Sequence, residues 1–237
     1  MIIKMSLSYD GSKFNGFQRL PKQKSVQKEI EDALKIIYDK KIQIKGAGRT
    51  DAGVHANNQV ISFEIEKLDK KLKSKLNKIL NPNIVIKKIT KEKSDFHARF
   101  SAIKKEYIYK IYTGRYKSSL NDYYLQDSFK YDLNLMKEAS KYILGTHDFK
   151  NFISGENEKT TSTIYSVDIN KYFDTIEIRF VGSHFYRYMV RNLVGALLEV
   201  GKYKQRYDIF EKMLDTKEKI TLPTAPACGL YLNKIWY

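Results

Sequence analysis

The chain has 237 residues, and its 43 Lys and Arg residues outweigh 27 Asp and Glu residues to give a formal net charge of +16. A single cysteine excludes a disulfide framework or a multi-cysteine zinc site, and no run of 18 apolar residues is present to cross a bilayer. No basic stretch precedes an apolar run at the N-terminus, so we predict no signal peptide and a cytoplasmic protein without a membrane partner. The excess of positive charge favours a polyanionic partner, and nucleic acid is the first to consider.

In the first half of the chain, apolar residues recur with the two-residue period of strands in some segments and with the 3.6-residue period of helices in others. Ile3, Met5, Leu7 and Tyr9 alternate with polar residues, as in a half-buried strand. Ser25 can cap a helix whose apolar residues follow at 3.6-residue spacing. The further elements predicted in this half are a short strand at Ile42 and Ile44, a strand at Val60–Ile65, a helix striped by Leu68, Leu72, Leu76, Ile79 and Leu80, and a strand at Ile84–Ile89.

A similar order of elements recurs in the second half. Tyr107, Tyr109 and Ile111 alternate with their neighbours and predict an opening strand. The strongest helical pattern runs from about Ser183 to Val200, with Gly201 as its C-cap. The remaining predicted elements are a helix around Leu133–Leu144, strands near Ile164–Asn170 and Tyr172–Val181, a short helix containing Ile209, Phe210, Met213 and Leu214, and a last strand at Gly229–Ile235.

Strands in adjacent pairs, mixed with helices but without strict βαβ alternation, predict an α+β fold with mostly antiparallel sheets. The two halves look related and join near Ser101-Ala102-Ile103 without a low-complexity linker. We therefore expect an N-terminal α+β domain at 1–102 and a C-terminal α+β domain at 103–237.

The segment from Gly46 to His55 is the most unusual in the chain. It lacks the glycine of a dinucleotide fingerprint and the Gly-Lys-Ser/Thr of a P-loop, and the strand that follows offers no helix N-terminus for a phosphate. Arg49 and Asp51 are two residues apart, which places both side chains on one face of an extended segment. A carboxylate beside a guanidinium is suited to act as a nucleophile or base. Spacing alone, however, favours an Asp turn with a neighbouring surface ion pair.

Gly48-Arg49-Thr50-Asp51-Ala52-Gly53-Val54-His55-Ala56, followed by Gln59-Val60, closely resembles the signature of the tRNA pseudouridine synthase A family. Further motifs of this family have counterparts in order along essentially the whole chain. These are Tyr9-Asp10-Gly11-Ser12-Lys13-Phe14, Ser25-Val26-Gln27, Asp95 to Ala102 leading to Tyr107-Ile108-Tyr109, Phe185 with Met189 to Gly195, and Ala225 to Leu232.

The resemblance implies the pseudouridine synthase fold, in which two α/β-sandwich halves form a central sheet and an active-site cleft. It also implies isomerisation of uridine to pseudouridine in the anticodon stem-loop of tRNA, typically at nucleotides 38 to 40. The family uses no metal or organic cofactor and acts as a homodimer.

Roles of individual residues follow from the resemblance. Asp51 matches the catalytic aspartate, and Arg49 matches the arginine that orients it and fills the space left by a flipped base. Tyr107 matches the active-site tyrosine, whose ring can stack on uracil and whose phenol can assist proton removal from C5. Leu230 matches a leucine that packs against the target base. Arg191, a cation on an apolar helix, is expected near the catalytic pocket or in a structural salt bridge.

Three positions depart from the family pattern. Phe17 and Asn58 stand where tryptophan and glycine are usual, and Asn81-Pro82-Asn83 is shorter than the usual loop. These departures bear on the choice of target nucleotide more than on the chemistry.

Lysines crowd several segments, chiefly Lys67 to Lys78 and Lys87 to Lys93, and are expected to contact RNA phosphates or simply to be solvated. The four histidines are dispersed without metal-ligand spacing, so no metal site is predicted, and His55 is expected to brace its loop by a hydrogen bond. The alternative to an enzyme is a non-catalytic RNA-binding or RNA-folding protein on the same scaffold. A zinc deaminase is excluded because Cys228 is the only cysteine.

Overall fold

The structure, a computed structural model, describes residues 1–116, 122–155, 159–216 and 219–237. The chain divides into two compact units, one formed by Met1–Ile103 with Tyr231–Tyr237 and the other by Lys104–Leu230. Residues 231–237 thus belong to the first unit, although the predicted C-terminal domain of 103–237 included them. The reason is that they form a strand that pairs within that unit.

In chain order, the described elements are β1 (Ile2–Tyr9), α1 (Val26–Tyr38), β2 (Lys45–Gly46), β3 (His55–Glu64), α2 (Leu72–Leu80), β4 (Ile84–Glu92), β5 (Lys104–Tyr112), β6 (Leu125–Gln126), α3 (Leu133–Lys141), β7 (Gly145–Asp148), β8 (Thr161–Tyr172), β9 (Thr175–Gly182), α4 (Met189–Gly201), α5 (Ile209–Asp215) and β10 (Leu230–Trp236).

In the first unit, β1 lies between β3 and β4 and is antiparallel to both. Strand β2 adds to β3 in antiparallel fashion, whereas β10 adds to β3 in parallel by pairing Tyr231 with His55. The predicted alternation in β1 is confirmed because Ile3, Met5 and Leu7 are fully buried. Two helices, α1 and α2, pack against each other in this unit.

The two helices of the first unit begin differently. Ser25 caps α1 by accepting a hydrogen bond from the Lys28 N–H, as the sequence predicts. Helix α2 begins at Leu72 rather than at Leu68, because Asp69 first forms a turn in which its Oδ1 accepts from the Lys71 N–H at 2.7 Å.

In the second unit, β9 lies between β5 and β8, and β7 extends the sheet beyond β8, all in antiparallel pairs. Strand β6 is parallel to β5. Helix α4 begins at Met189, six residues later than Ser183, where the sequence predicts its start. Tyr188 before it has a left-handed backbone with φ +63°, which interrupts the helical path, so Phe185 precedes the helix.

Both units therefore combine helices with mainly antiparallel strand pairs, which confirms the predicted α+β class. Among the described residues, no helix is long and apolar enough to cross a membrane.

Candidate active site

Arg49 and Asp51 lie on the loop between β2 and β3 in the first unit, at residues 47–54. Asp51 opens a turn in which the Val54 N–H donates to its carbonyl oxygen at 3.1 Å. Gly53 takes the third position of this turn with φ +79°, as a type II turn requires. The glycine therefore fixes the bend that follows Asp51.

Two hydrogen bonds hold the residue before Asp51. The hydroxyl of Thr50 lies 2.8 Å from the Tyr9 hydroxyl, and both residues are buried. The Thr50 carbonyl accepts from the Phe17 N–H at 3.1 Å. Burial raises the pKa of Tyr9 to about 12, although hydrogen bonds with Thr50 and Gln59 oppose the rise. The phenol therefore stays protonated at neutral pH.

Two further residues, Gln59 and Gly16, contact the backbone of this loop. Gln59 on β3 donates its side-chain amide to the Gly48 carbonyl at 2.8 Å. Gly16, with φ +95°, lies so close that an added Cβ would be 2.9 Å from the Thr50 carbonyl oxygen. The backbone on either side of Asp51 is therefore fixed by neighbouring segments.

His55 braces the turn after β1. It is buried, and its Nδ1 accepts a hydrogen bond from the Gly11 N–H at 3.0 Å. The ring stacks on Tyr231 of β10 with centroids 4.9 Å apart. His55 thus has the bracing role expected from the sequence.

Arg49 and Asp51 are exposed differently, since Asp51 is half-buried and Arg49 is exposed. Among the described residues, the guanidinium of Arg49 makes no ion pair, so the expected pair with Asp51 is not formed in this structure. Residues 49–51 belong to a loop and not to a strand, so two-residue spacing does not set the relative direction of the two side chains. The turn and the hydrogen bonds to Gly48 and Thr50 hold the backbone at Asp51.

Tyr107 lies on β5 in the second unit and is only 7% exposed. Its ring meets that of Phe185 edge to face, with centroids 5.2 Å apart. Phe185 comes from the segment between β9 and α4. The contact fixes the orientation of the tyrosine ring.

Arg191 lies in the first turn of α4 and ties down the segment that leads to Leu230. Its Nε donates to the Ala225 carbonyl at 2.7 Å, and its own carbonyl accepts from the Ala225 N–H at 3.1 Å. Its guanidinium also lies 4.8 Å from the centre of the Tyr188 ring. Leu230, five residues after Ala225, is 4% exposed and begins β10.

The sequence-predicted residues thus fall into two groups, with Arg49 and Asp51 in the first unit and Tyr107, Arg191 and Leu230 in the second. Sequence reasoning did not find Tyr9, Thr50 and Gly16 as supports of Asp51. Their presence inside or beside the motifs that resemble the family was the available signal. No group of side chains in the described parts of the chain is arranged to hold a metal ion.

Comparison with known proteins identifies the class to which this arrangement belongs. Residues 5–101 and 139–237 match the family model described as tRNA pseudouridine synthase. The chain therefore belongs to the tRNA pseudouridine synthase family, whose members are isomerases.

Two relatives are both named tRNA pseudouridine synthase A. The one from Bacillus subtilis (strain 168) is 39% identical over 100% of this chain and 99% of its own length. The one from Dictyoglomus thermophilum is 41% identical over 99% of this chain and 98% of its own. Among solved structures, the crystal structure of the archaeal box H/ACA sRNP Nop10-Cbf5 complex aligns at 12% identity with a TM-score of 0.38, over 83% of this chain and 43% of that one.

Proposed function

We propose that this protein isomerises uridine to pseudouridine in the anticodon stem-loop of tRNA, at nucleotides 38 to 40. The observation that carries the proposal is Asp51 itself, a half-buried carboxylate on a glycine turn. The residues before it are held by a hydrogen bond between the Tyr9 and Thr50 hydroxyls and by hydrogen bonds from Phe17 and Gln59 to the Thr50 and Gly48 carbonyls. Such a rigid support suits a group that must meet a reacting atom at a defined position. Its place in the family motif supports the same role.

The reaction conserves atoms and needs no redox partner. The bond between ribose C1′ and uracil N1 breaks, the base turns over, and a bond forms between C1′ and C5. N1 gains a proton and C5 loses one. Asp51 is the catalytic carboxylate, because an ionised aspartate can act as nucleophile or base without any cofactor.

The other predicted residues act on the same uridine. Tyr107 stacks on the base, and its phenol assists proton removal from C5. Leu230 packs against the base, and Arg191 holds the segment that carries Leu230. Arg49, exposed and without a partner among the described residues, occupies the space left when the uridine leaves its stem.

We further propose that the protein works in the cytoplasm as a homodimer without metal or cofactor. Light scattering should then give a mass close to twice that of the 27.8 kDa chain. Activity should survive dialysis against a chelator.

The decisive experiment is primer extension on carbodiimide-treated tRNA incubated with wild type, Asp51→Asn and Asp39→Asn. Asp39 is an exposed acid of the same unit at the end of α1, where asparagine tolerates the left-handed backbone. We expect new stops at nucleotides 38 to 40 with wild type and Asp39→Asn, and none with Asp51→Asn.

Each of the other possible primer-extension results would contradict a different part of the proposal. Equal stops with Asp51→Asn would remove Asp51 from catalysis. Stops at other uridines would contradict the assigned positions alone. No stops with wild type, despite tRNA binding, would favour the non-catalytic RNA-binding alternative.

A further inference from the structure

The segment from Lys67 to Lys93 carries a charge that the proposed catalysis does not use. It holds ten lysines and two acidic residues, so its net charge of +8 is half of that of the whole chain. Every one of these lysines is exposed. Together they form what we call the lysine surface, which consists of Lys67, Lys70, Lys71, Lys73, Lys75, Lys78, Lys87, Lys88, Lys91 and Lys93.

Almost none of this charge is neutralised within the protein. Lys75 pairs with Asp69, and among the described residues it is the only one of the ten lysines in an ion pair. The second acid of the segment, Glu92, pairs with Lys4 instead. Within the described parts of the chain, nine of the ten lysines therefore carry a positive charge that no acidic side chain compensates.

Other helices of the protein show that a general abundance of lysine is not the explanation. Helix α1 balances its lysines with Glu29, Glu31 and Asp32, and Lys28 pairs with Asp32 at 2.7 Å. Helix α3 pairs Lys141 with Glu138. Helix α2 has no acidic residue from Leu72 to Leu80.

Stability of the free protein does not account for the lysines either. Lys70, Lys71 and Lys73 lie at the N-terminal end of α2, where the helix dipole is positive and cations are unfavourable. Lysines on β4 can protect a sheet edge from pairing with other chains, but this reason does not apply to a helix. The lysines at the start of α2 thus lie where the helix dipole disfavours positive charge. A bound anion would offset this unfavourable interaction.

The lysine surface extends away from the loop that carries Asp51. Strand β4 begins next to the turn after β1, because the Asp10 N–H of that turn donates to the Asn83 carbonyl at 3.0 Å. The same turn contacts the end of the Asp51 loop, because the Gly11 N–H donates to His55. From Ile84, β4 runs to Glu92, a distance of about 26 Å at 3.3 Å per residue.

Helix α2, which precedes β4 in the chain, lies alongside it and runs in the opposite direction. Asn77 sets their register, because its side chain bonds both the N–H and the carbonyl of Ile86. Lys78 therefore lies towards the beginning of β4, and Lys70 and Lys73 lie towards its far end.

We propose that the lysine surface binds the phosphate backbone of tRNA outside the anticodon stem-loop, an inference that rests on tRNA being the substrate. A duplex carries roughly one negative charge per 1.7 Å of axis, and the lysine surface offers it nine ammonium groups that no acidic side chain of the described residues neutralises. Lysines act as point charges that hold a backbone without reading its bases. The surface thus orients the tRNA body while the Asp51 loop receives the target nucleotide.

The test compares two triple variants of the full chain. Lys70→Gln/Lys73→Gln/Lys78→Gln, the α2 variant, removes three charges from α2 and the residues just before it. Lys35→Gln/Lys41→Gln/Lys137→Gln, the control variant, removes three exposed lysines that form no ion pair with the described residues. Glutamine keeps the helix propensity of lysine. Filter binding of full-length tRNA over a range of KCl concentrations gives the Kd and the salt slope.

We expect the α2 variant to bind tRNA about tenfold or more weakly at 150 mM KCl, with a salt slope about one to three units shallower than that of wild type. The control variant should lose much less affinity. The single-turnover rate at saturating tRNA and the Tm of the α2 variant should be no lower than those of wild type. An isolated anticodon stem-loop RNA should bind both triple variants equally.

Several results would overturn the inference without touching the proposed function. One is an α2 variant that matches the control in Kd and salt slope while wild type still modifies tRNA. Another is an equal loss of affinity for the isolated stem-loop. A third is unchanged tRNA affinity with lost binding to vesicles containing anionic lipid. Failure of the proposed function would show separately, as tRNA binding by wild type without any Asp51-dependent turnover.

Discussion

The hydroxyl groups of Tyr9 and Thr50 lie 2.8 Å apart in the interior of the first unit, one residue before the proposed catalytic Asp51. Both residues are buried, so neither hydroxyl has water as a ready replacement partner. The first strand of the protein is thereby connected to the loop that is proposed to carry out the chemistry.

Removing one member of this pair should affect both stability and turnover. Tyr9→Phe leaves the buried Thr50 hydroxyl without its partner, and we expect a loss of about 1 to 3 kcal/mol in the free energy of unfolding. The single-turnover rate should fall while the Kd for tRNA stays the same. Denaturant titration of Tyr9→Phe, Thr50→Val and the double variant gives the coupling between them, and additive effects would contradict a direct interaction.

The same tyrosine predicts a stability change at alkaline pH. Burial raises the pKa of Tyr9 to about 12 from about 10 in the unfolded chain. The folded state therefore favours the protonated phenol, and this contribution is complete below pH 10 and is lost as the pH rises towards 12. It amounts to about 2 to 3 kcal/mol. Wild type should lose more stability than Tyr9→Phe between pH 9 and pH 12, and parallel losses would show that Tyr9 does not titrate in this way.

Gly16 and Gly145 form a matched pair for testing how firmly the Asp51 loop is held. Their φ angles are +95° and +96°, so alanine brings similar backbone strain of about 1 to 2 kcal/mol at either position. A Cβ at Gly16 also lies 2.9 Å from the Thr50 carbonyl oxygen, whereas the nearest atom at Gly145 is 3.6 Å away. Gly16→Ala should therefore lower kcat, and Gly145→Ala should lower only Tm. Equal kcat values would show that the loop position is not critical.

Tyr107→Phe separates stacking from proton transfer. Phenylalanine keeps the ring and its edge-to-face contact with Phe185 but lacks the phenol. We expect the rate of proton release from C5 to fall roughly 10²- to 10⁴-fold with little change in the Kd for tRNA. Tritium release from tRNA labelled at uridine C5 measures this step. Tyr165→Phe, at an exposed position on β8, is the control, and a Tyr107→Phe variant as active as this control would exclude the phenol from the reaction.

Arg49→Ala should abolish turnover without lowering the stability of the folded protein. The side chain is exposed and has no partner among the described residues, so the free energy of unfolding should change by less than about 0.5 kcal/mol. The Kd for tRNA should also stay near that of wild type, as for the exposed Arg99→Ala control. An Arg49→Ala variant with normal turnover refutes the role proposed for this residue.

The sequence predicted the elements that depend on local patterning. Alternation in β1 and the Ser25 cap of α1 were correct because each depends on a few neighbouring residues. The start of α4 was wrong because the apolar residues Phe185 and Met189 have helical spacing, while the left-handed Tyr188 between them is set by its surroundings. Periodicity does not report such a backbone angle.

The site was predictable to a similar extent. The position of Asp51 on a glycine-containing turn followed from its motif, but its supports did not, because Tyr9 and Gly16 are distant from it along the sequence. The Arg49–Asp51 pair was expected from two-residue spacing, but residues 49–51 lie in a loop rather than a strand, so that spacing does not set the direction of their side chains.

The parallel pairing of β10 with β3 has a consequence for how the protein is made. Tyr231–Tyr237 are synthesised after all of Lys104–Leu230. The second unit can therefore begin to fold while the first unit still lacks its last strand. Until that strand emerges from the ribosome, the part of β3 at His55 and Ala56 lacks its β10 partner and can pair incorrectly, and nascent chains should be most prone to aggregation in this interval.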